Sequence, residues 1–498
     1  MSLPEPLRIY LGTDPTHRTC AINGYAFQQD AIRTFNGWQY ACFYTSSSHS
    51  PCEKMGGEPL FVHLSRRKLP DGPWQTIRFE DYPQTVDDGH NTVQLGICPG
   101  DGTIHLSYDH HCDALRYRIS VPGVATVPGT VDWSPDLFTP TLFSQLPGLD
   151  PGEAVKELLG YVTYPRFLTR GDGDLVFTFR TDINTDSESG SREEEEEEGK
   201  QRKRKRTYGY KFLGTHLRGA WNNPYIHGLD VCPRDGRTLH ATWVYREFVH
   251  YPGWDDPLDT KHKAQAGPNS AANNRDICHA WSADGGVRWC AAADRSRRDG
   301  KEKEDVMMIA DLAKGESILP TSPGIVAFAI PKGSGLTNQE SQAVDYDGGV
   351  HVLNRDSLPL VDEERGGLTG MGAGIVRWKH YHLDPRDGRW TQRLLPHVAG
   401  ACGGKRGQVA VSRKGDLYFV LPHHTDPVLT ILKAARESGF TEYELVWRGD
   451  GFPLTDPLLD KARLQSDDVL SVLTKSVVGP EGSVVLTVLD FNLQSPFS

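Results

Sequence analysis

The sequence predicts an all-β protein, and within that class a seven-bladed β-propeller with an Asp-box hairpin. Three observations support this prediction. The 498-residue chain contains 51 glycines and 33 prolines but only five methionines, which is typical of many short strands joined by turns. A turn-plus-strand unit recurs at a steady spacing, and the longest interval between two units contains an Asp box. We therefore expect residues 1–498 to form a single propeller domain.

The recurring unit is a tight turn that contains a glycine and is followed by a strand with apolar residues at alternating positions. Asp101-Gly102 before Thr-Ile-His-Leu-Ser-Tyr is one example. Successive turn glycines are 63 to 71 residues apart, except for one interval of 112. This period predicts a closed ring of similar sheets, because each sheet buries its faces only against its neighbours and the ring removes long free edges. The glycines stand at positions 37, 102, 173, 236, 348, 415 and 482.

The 112-residue interval contains the run Ser282-Ala283-Asp284-Gly285-Gly286-Val287-Arg288-Trp289. This run fits the pattern Ser-x-Asp-x-Gly-x-x-Trp, the hairpin turn known as an Asp box, which occurs in many propellers that act on sugars. Asp boxes are structural turns on the rim of the fold. The run therefore supports the fold prediction and says little about chemistry.

Residues 185–207 differ in composition from the rest of the chain. Six consecutive glutamates at 193–198 are followed by the basic run Arg202-Lys203-Arg204-Lys205-Arg206. Like charges at this density repel one another and cannot bury surface, so we expect a disordered, solvated loop inserted in the propeller. The basic run also fits a nuclear-localisation signal. The acidic run beside it compensates its charge and favours the loop.

Charge and composition argue against several classes of protein. The net charge of -11 and the pI near 5.9 argue against a nucleic-acid partner, whose binding face would be basic, although a local basic pocket could still hold an anionic substrate. No apolar run is long enough to cross a membrane, and residues 1–12 lack the features of a signal peptide. We expect a cytoplasmic protein, or a secreted one if a leader has been removed. Nine cysteines without a framework spacing predict free thiols.

A cluster of titratable side chains occupies residues 87–115. Four of the 19 histidines fall there, beside Asp87, Asp88 and Asp109. Equivalent positions of neighbouring blades meet at one mouth of a propeller's channel, so segments 160–167 and 240–247 are expected to join the same pocket. The four histidines are His90, His105, His110 and His111.

Six short segments match one known group of proteins in the same order. They are Ala26-Phe27-Gln28-Gln29-Asp30, Asp88-Gly89-His90-Asn91, His111 before Leu115, Thr163-Tyr164-Pro165 with Arg180, Asp276-Ile277-Cys278-His279-Ala280, and Asn338-Gln339 before Ala343-Val344-Asp345. Together they resemble the BNR-repeat polysaccharide lyases with seven-bladed propellers. That group includes ulvan lyases and the rhamnose–glucuronate lyases that act on gum arabic side chains. The resemblance extends from about residue 20 to about residue 425, and the ordered set is more specific than any single segment.

The resemblance implies β-elimination at a uronic acid, and the residue types suit that chemistry. The C5 proton of a uronate is poorly acidic while the adjacent carboxylate keeps its charge. A cation or strong donor at that carboxylate stabilises the enolate-like transition state, and Arg180 suits this role. The resemblance makes His111 and Tyr164 the acid/base set. His90 and Asn91 would position the carboxylate or share its charge. Which of His90, His111 and Tyr164 removes the proton stays open.

The implied partner is an anionic, uronate-containing polysaccharide or oligosaccharide, and the reaction requires no cofactor. Among such polymers we prefer L-rhamnose-α-1,4-D-glucuronate ends of gum arabic or arabinogalactan-type side chains to ulvan. Ulvan lyases are typically exported marine enzymes, whereas the charged insertion and the missing leader look more like a eukaryotic protein. Endo or exo action and the choice between monomer and dimer stay open.

Further residues are assigned to substrate binding, and some of them have a structural alternative. His105 lies between two apolar strand residues, which favours a structural role. His110 and His111 are adjacent, so on extended backbone only one of them faces the pocket. Arg246 lines the channel or pairs with Glu247 at the rim. The residues assigned in this way are Asn91, His105, His110, Arg166, Tyr245 and Arg246.

Some ulvan lyases of this type carry a structural zinc, and the matching segment here is 262–290. Cys278, His279 and Cys290 are its possible ligands. The adjacency of the first two is awkward and no paired Cys-x-x-Cys spacing occurs, so buried thiols are favoured over a metal site.

Two other classes compete with a lyase. A propeller glycosidase such as a sialidase would use a Tyr–Glu pair, an arginine triad and an early Arg-Ile-Pro motif, whereas Arg8-Ile9 is followed here by Tyr10. A non-catalytic carbohydrate-binding propeller would not need His, Tyr and Arg side chains gathered at one pocket.

Overall fold

The computed structural model describes residues 2–15, 17–25, 30–45, 59–149, 152–181, 209–220, 222–247, 271–291, 307–358, 360–362, 367–369, 375–396, 398, 405–453, 455–479 and 481–494. The charged segment at 185–207, the Ala26–Gln29 part of the first matching segment and His262 lie outside these ranges. The single domain over residues 1–498 and the disordered insertion therefore stay predictions.

Seven small antiparallel sheets stand in a ring and form a seven-bladed β-propeller, which confirms the predicted fold class. The first strand, β1 (Leu7–Thr13), belongs to the last blade. Blade 1 contains β2 (Ile32–Phe35), β3 (Trp38–Thr45), β4 (Leu60–Lys68) and β5 (Gln75–Gln84). Blade 2 contains β6 (Val93–Ile97), β7 (Ile104–Tyr108), β9 (Arg116–Ile119) and β10 (Leu142–Phe143). Blade 3 contains β8 (His111–Asp113), β11 (Val162–Thr169) and β12 (Leu175–Arg180).

The remaining blades follow in chain order. Blade 4 contains β13 (Asn222–Val231), β14 (Leu239–Glu247), β15 (Asn274–Ser282), β16 (Arg288–Ala291), β17 (Met307–Asp311) and β18 (Val326–Phe328). Blade 5 contains β19 (Ser341–Val344), β20 (Val350–Asp356), β23 (Arg377–Asp384) and β24 (Arg389–Leu394), and the separate hairpin β21 (Leu360–Asp362) and β22 (Gly367–Thr369) lies between β20 and β23 in the chain. Blade 6 contains β25 (Gln408–Val411), β26 (Leu417–Pro422), β27 (Val428–Ala434) and β28 (Tyr443–Asp450). Blade 7 contains β29 (Leu458–Leu459), β30 (Val469–Val478), β31 (Ser483–Asn492) and β1.

Helical structure is short in the described ranges. Within the described residues the two α-helices are α1 (Glu153–Leu158) and α2 (Lys461–Asp467). Neither is long and apolar enough to span a membrane. Single 3₁₀ turns lie at Pro128–Thr130, Pro135–Leu137, Ala271–Asn273, Leu312–Lys314 and Arg436–Ser438.

All seven turn glycines of the sequence repeat lie at strand connections and have φ between 63° and 92°. Only glycine adopts this left-handed region without a steric penalty from a Cβ atom. This requirement explains why a glycine recurs at these positions of the repeat. In blades 1 to 6 the turn joins the innermost strand to the second strand. In blade 7 Gly482 instead joins the second and third strands, β30 and β31. The 112-residue interval falls in blade 4, which has more strands than the other blades.

The ring closes between the two ends of the chain. β1 pairs antiparallel with β31, so the last blade contains strands from both termini. Asp460, buried at the start of α2, accepts hydrogen bonds from the Thr34 backbone N–H (3.0 Å), the Thr34 hydroxyl (2.6 Å) and the Gln39 amide (2.9 Å) of blade 1. The same carboxylate caps α2 through the Arg463 N–H. Blade 7 is thereby joined to blade 1 by both a strand and a buried charge.

The core consists of apolar side chains packed between neighbouring sheets. One cluster joins Val488 of blade 7, Tyr40 of blade 1 and Leu95 of blade 2, all fully buried. Because each blade presents apolar faces to both neighbours, burial of this surface holds the ring together. The innermost strands contact one another around the central channel.

The predicted Asp box forms the hairpin between β15 and β16. Asp284 accepts a hydrogen bond from the Arg288 backbone N–H at 2.9 Å, and the Ser282 hydroxyl accepts one from Gly286 at 2.8 Å. Trp289 is buried and donates its indole N–H to the Gly286 carbonyl at 3.0 Å. These contacts are internal to the turn, as expected of a structural element.

Candidate active site

Three neighbouring strand segments place the predicted catalytic residues side by side. After β7 the chain leaves blade 2, and β8 pairs with β11 of blade 3 before the chain returns to β9. In this register His111 of β8 and Arg180 of β12 are both partners of Thr163, one on each side of β11. Tyr164 is the next residue of β11. The sixteen-residue separation between Tyr164 and Arg180 therefore corresponds to the two strands of one antiparallel hairpin.

Asp88 holds two imidazole rings. Its two carboxylate oxygens lie 2.6 Å from Nδ1 of His90 and 2.7 Å from Nδ1 of His111. The two rings stack with centroids 3.7 Å apart and an interplanar angle of 20°. If each Nδ1 carries the proton donated to Asp88, each Nε2 carries the basic lone pair. Asp88 thus fixes both the orientation and the tautomer of the pair.

Burial and hydrogen bonding set the charges of this pair. Burial alone raises the pKa of the Asp88 carboxyl, but the hydrogen bonds from His111 and His90 outweigh it and hold that pKa well below its usual range. Burial lowers the pKa of His90 to about 4, against the opposing effect of Asp88. At neutral pH Asp88 is therefore ionised and His90 is uncharged, which is the state required of a general base.

Tyr164 is held in a strained conformation beside the imidazoles. Its φ is +53°, and the register between β11 and β12 shifts at this point in a β-bulge. Left-handed backbone at a non-glycine residue and bulges both occur next to functional sites, where they redirect a side chain. The ring centroid lies 5.6 Å from that of His90. Burial raises the pKa of the Tyr164 phenol, so it is protonated at neutral pH and able to donate.

Two aromatic rings hold the guanidinium of Arg180. Its Cζ lies 4.9 Å from the ring centroid of Tyr164 and 5.1 Å from that of Tyr225. It also donates a hydrogen bond to the Tyr225 hydroxyl at 2.8 Å. The charge of Arg180 contributes to the lowered pKa of His90, which puts the cation within electrostatic reach of the imidazole pair. Arg180, Tyr164 and Tyr225 line a cavity of about 1100 Å³ between blades 3 and 4.

Arg246, on β14, is a second buried cation and lies beside Tyr225 of β13. Its Cζ lies 4.8 Å from the Tyr225 ring centroid. Nε donates to Asn274 at 3.0 Å and Nη2 donates to Asn338 at 2.6 Å. The backbone carbonyl of Asn338 also accepts a hydrogen bond from Arg406 at 3.0 Å. Glu247, the alternative partner considered for Arg246, forms an ion pair with Arg275.

Three residues assigned to substrate binding are buried, and their assignment stays a prediction. Asn91 is buried and directs its amide to Asp109 at 2.6 Å. His110 is buried, and its Nε2 accepts the Arg116 backbone N–H at 2.8 Å. Tyr245 is buried in the apolar core of blade 4. Tyr245 and Arg246 are consecutive on β14 and point to opposite faces of the sheet, whereas His110 precedes β8 and is not part of a strand.

His105 and Arg166 border the cavity but are mostly buried. His105 bonds the Thr103 hydroxyl at 2.6 Å and the Tyr117 hydroxyl through its two ring nitrogens, which supports its structural alternative. Arg166 donates to the Ile226 carbonyl at 3.1 Å, and burial lowers its pKa to about 10. The charges of Asp30 and Asp230 oppose this lowering.

The three residues considered as zinc ligands do not form a group in the described structure. Cys278 and His279 are consecutive on β15 and point to opposite faces, with Cys278 in the apolar core of blade 4. His279 Nε2 lies 3.2 Å from Nδ1 of His240. In the described ranges, the groups of ligand atoms close enough to hold a metal are Asp88–His90–His111 and Asp345–His351–His382.

Sequence reasoning missed the roles of Asp88 and Tyr225. Asp88 was part of a matching segment, and its position two residues before a histidine was the available signal. Tyr225 is contributed by the next blade and had no local signal. Asn338 was likewise part of a matching segment, but its contacts with two arginines depend on packing between blades.

These observations define a seven-bladed propeller with a carboxylate-bound imidazole pair, a phenol and arginines gathered at neighbouring blades. The chain belongs to the BNR repeat-containing family, whose profile matches residues 38–398. It is 28% identical over 181 residues to the short isoform of ulvan lyase from Alteromonas sp. (strain LOR), covering 30% of this chain and 32% of that protein. It is 26% identical over 186 residues to the long isoform from Glaciecola sp. (strain KUL10), covering 32% of this chain and 17% of that one.

A solved structure shares the whole fold. The polysaccharide lyase Uly1 superimposes with a TM-score of 0.59 at 14% sequence identity, covering 99% of this chain and 100% of that one. At this identity the likeness establishes the seven-bladed architecture. The matches to the ulvan lyases cover less than a third of the length of those relatives, so activity and substrate are argued below from the site.

Proposed function

We propose that the protein is a polysaccharide lyase that cleaves a glycosidic bond at a uronic acid by β-elimination. The observation that carries this proposal is that an imidazole pair, a phenol and a guanidinium lie close together. Asp88 binds the two imidazoles, the Tyr164 ring lies 5.6 Å from His90, and the Arg180 guanidinium lies 4.9 Å from the Tyr164 ring. An elimination at a uronate needs a base, an acid and a cation at the carboxylate.

Arg180 is proposed to bind the uronate carboxylate. Removal of the C5 proton places negative charge on the carboxylate as an enolate forms, and a fixed guanidinium stabilises that charge more in the transition state than in the ground state. The two tyrosine rings hold the guanidinium in place. Little reorganisation is then needed when the charge develops.

The imidazole pair and Tyr164 are proposed to move the protons. Nε2 of the pair accepts the C5 proton, the electron pair forms the C4–C5 double bond, and the C4–O4 bond breaks. The departing O4 takes the phenolic proton of Tyr164, whose pKa is raised by burial. The products are an unsaturated uronate and a free hydroxyl. No water is consumed, and no cofactor takes part in the proposed reaction.

The proposed polymer is ulvan, which changes the preference drawn from the sequence. The similar proteins that cover part of this chain are named ulvan lyases, and this favours ulvan over the rhamnose–glucuronate ends of gum arabic. Both substrates present a glucuronate carboxylate to Arg180. Polymer choice therefore depends on the neighbouring sugars and is tested separately from the chemistry.

The test is the near-ultraviolet absorbance of the unsaturated uronate, followed with purified protein on ulvan and on gum arabic. We expect a rise on ulvan that is lost in Arg180→Ala and His111→Ala. Arg386→Ala is the matched control, because that arginine is exposed on the turn between β23 and β24. A rise on gum arabic alone would support elimination as the reaction and would show that the substrate is gum arabic instead of ulvan. New reducing ends without absorbance would indicate hydrolysis, and binding without product would indicate a non-catalytic propeller.

A further inference from the structure

A second group of ligand-type side chains lies in blade 5. Asp345 precedes the turn between β19 and β20, His351 lies on β20 and His382 on β23. One ligand atom of each lies within 4.8 Å of those of the other two. Oδ2 of Asp345 is 3.1 Å from Nε2 of His351, and the rings of His351 and His382 stack with centroids 4.4 Å apart. The group lies at the turn end of the blade, whereas His111 follows the opposite end of β7.

The carboxylate of Asp345 is fixed by the turn that it starts. Its Oδ1 accepts backbone N–H hydrogen bonds from Asp347 at 2.8 Å and from Gly349 at 2.7 Å. Oδ2 is thereby directed at His351. Asp345 and His351 are 4% and 0% exposed, so this carboxylate–imidazole pair is removed from solvent.

The third side chain of the group has an unsatisfied nitrogen. Nε2 of His382 is buried and makes no hydrogen bond in the described structure. A buried polar atom without a partner costs free energy, and such atoms call for an explanation in a native protein. A hydrogen bond from His351 to Asp345 would account for two members of the group without a metal. It leaves the His382 nitrogen unexplained.

Blade 4 provides an internal comparison. His240 and His279 occupy the positions of His351 and His380, with Nδ1 to Nε2 distances of 3.2 Å and 3.0 Å in the two blades. The strand partner of His240 is Trp281, whereas the partner of His351 is His382. The histidine pair is thus a feature that the two blades share. The third imidazole is an addition in blade 5, and Asp345 occupies the turn position that Cys232 occupies in blade 4.

The surroundings of His351 suit a metal ligand. Its Nδ1 lies 3.0 Å from Nε2 of His380, and Nδ1 of His380 lies 2.9 Å from the Tyr443 hydroxyl. If a metal occupies Nε2 of His351, its Nδ1–H donates to His380, whose own Nδ1–H donates to Tyr443. Metal-bound histidines commonly donate their second ring N–H in this way, which fixes their orientation and raises their basicity.

We propose that Asp345, His351 and His382 form a binding site for a divalent transition metal, with Zn²⁺ as the best match. Two imidazole nitrogens and one carboxylate oxygen are a common zinc donor set, and the 3.1 Å separation of the Asp345 and His351 donors suits ligands about 2.0–2.2 Å from one ion. The rings of His351 and His382 are within 8° of parallel, so the His382 ring would turn out of this stack to direct its in-plane lone pair at the ion. A water would complete four-coordination. The ion would tie the β19–β20 turn to β23, so we expect it to stabilise blade 5 and to leave the chemistry at the other end of the blades unchanged.

The test measures zinc bound per chain by elemental analysis after dialysis, together with the midpoint of thermal unfolding with and without Zn²⁺. We expect one zinc per chain and a zinc-dependent rise in the midpoint, both lost in His382→Phe. His90→Ala, which removes a ligand-type residue from the Asp88 group, should keep both. His380→Ala should weaken zinc binding by about 10- to 100-fold, the usual effect of removing such a partner.

X-ray absorption of the zinc-loaded wild-type protein provides a readout that does not depend on how the variants fold. We expect a first shell of nitrogen and oxygen with imidazole scattering from two histidines. A shell containing sulfur, a wild-type protein without stoichiometric zinc, or loss of zinc in His90→Ala but not in His382→Phe would overturn the proposal.

Discussion

His90 and His111 stack face to face, with ring centroids 3.7 Å apart, and bind the same carboxylate, Asp88, through Nδ1. His90 precedes β6 of blade 2, whereas His111 is carried on β8 to the edge of blade 3. Asp88 therefore links the connection between blades 1 and 2 to blade 3. The pairing makes the two rings one unit, whose protonation and orientation depend on a single side chain.

Replacing Asp88 by Asn should impair catalysis far more than substrate binding. Asparagine keeps the size of the side chain but removes the charge, and its NH₂ group cannot accept the proton of the second imidazole. We expect kcat on the responsive polymer to fall about 10²-fold or more, with a small change in KM. The measurement is the initial rate of unsaturated-uronate formation over a range of polymer concentrations. Asp71→Asn, at an exposed turn, is the control, and an unchanged kcat in Asp88→Asn would remove Asp88 from the mechanism.

Two tyrosine variants separate proton donation from positioning. Tyr164→Phe removes the phenolic proton but keeps the ring that packs 4.9 Å from Arg180, so we expect kcat to fall about 10²- to 10⁴-fold in a folded protein. Tyr225→Phe removes only the 2.8 Å hydrogen bond to Arg180. A hydrogen bond to a charged group contributes about 1.5 kcal/mol, so its loss should cost roughly tenfold. Equal losses in the two variants would contradict the assignment of Tyr164 as the acid.

The sequence predicts the ring of blades because its signals are local. A glycine with positive φ is required wherever a tight turn joins two strands, and all seven predicted turns are formed. Tyr164 and Arg180 are likewise brought together by one hairpin. The role of Asp88 is not local, because one of its partners is 23 residues away and reaches it only through the departure of β8 from blade 2.

The sequence pattern does not indicate which side chains of the site are buried. Asn91, three residues from the imidazole-binding Asp88, is buried and donates its amide to Asp109. Adjacent His110 and His111 separate into one buried and one half-buried residue, and the sequence pattern does not state which way each side chain points. Tyr225 comes from the next blade, and its contact with Arg180 depends on the packing of two sheets.

The closure of the ring should depend strongly on Asp460. Its buried carboxylate accepts hydrogen bonds from Thr34 and Gln39 of blade 1, and Asp460→Ala would leave these buried donors without an acceptor. We expect a loss of about 3 kcal/mol in the free energy of unfolding, measured by denaturant titration. Asp71→Ala, at an exposed position, should change it little. A loss as small as that of the control would show that pairing of β1 with β31 is sufficient for closure.

The pH dependence of kcat/KM tests whether His90 takes the proton. A base must be uncharged, and burial lowers the pKa of His90 from 6.5 to about 4. Activity that depends on neutral His90 is therefore fully present at pH 6 and is lost as the pH falls through about 4. An acidic limb centred near 6.5 would show that another group is the base. The readout is the rate of unsaturated-uronate formation in buffers of constant ionic strength.

The free energy of unfolding also changes over this pH range, and the measurement of kcat/KM must be separated from that change. His90, His105 and His240 each have a folded pKa of about 4, lowered mainly by burial, whereas an unfolded imidazole titrates near 6.5. Between these values the unfolded chain binds more protons, so the free energy of unfolding falls as the pH is lowered from 6.5 to 4, by at most about 1.4 kcal/mol per pH unit for each histidine. Denaturant titrations at pH 7, 5.5 and 4.5 measure this slope, and His240→Gln should reduce it by up to one histidine's share. A rate that falls where the protein is still folded by circular dichroism reports the base, whereas a rate that falls together with the folded fraction reports unfolding.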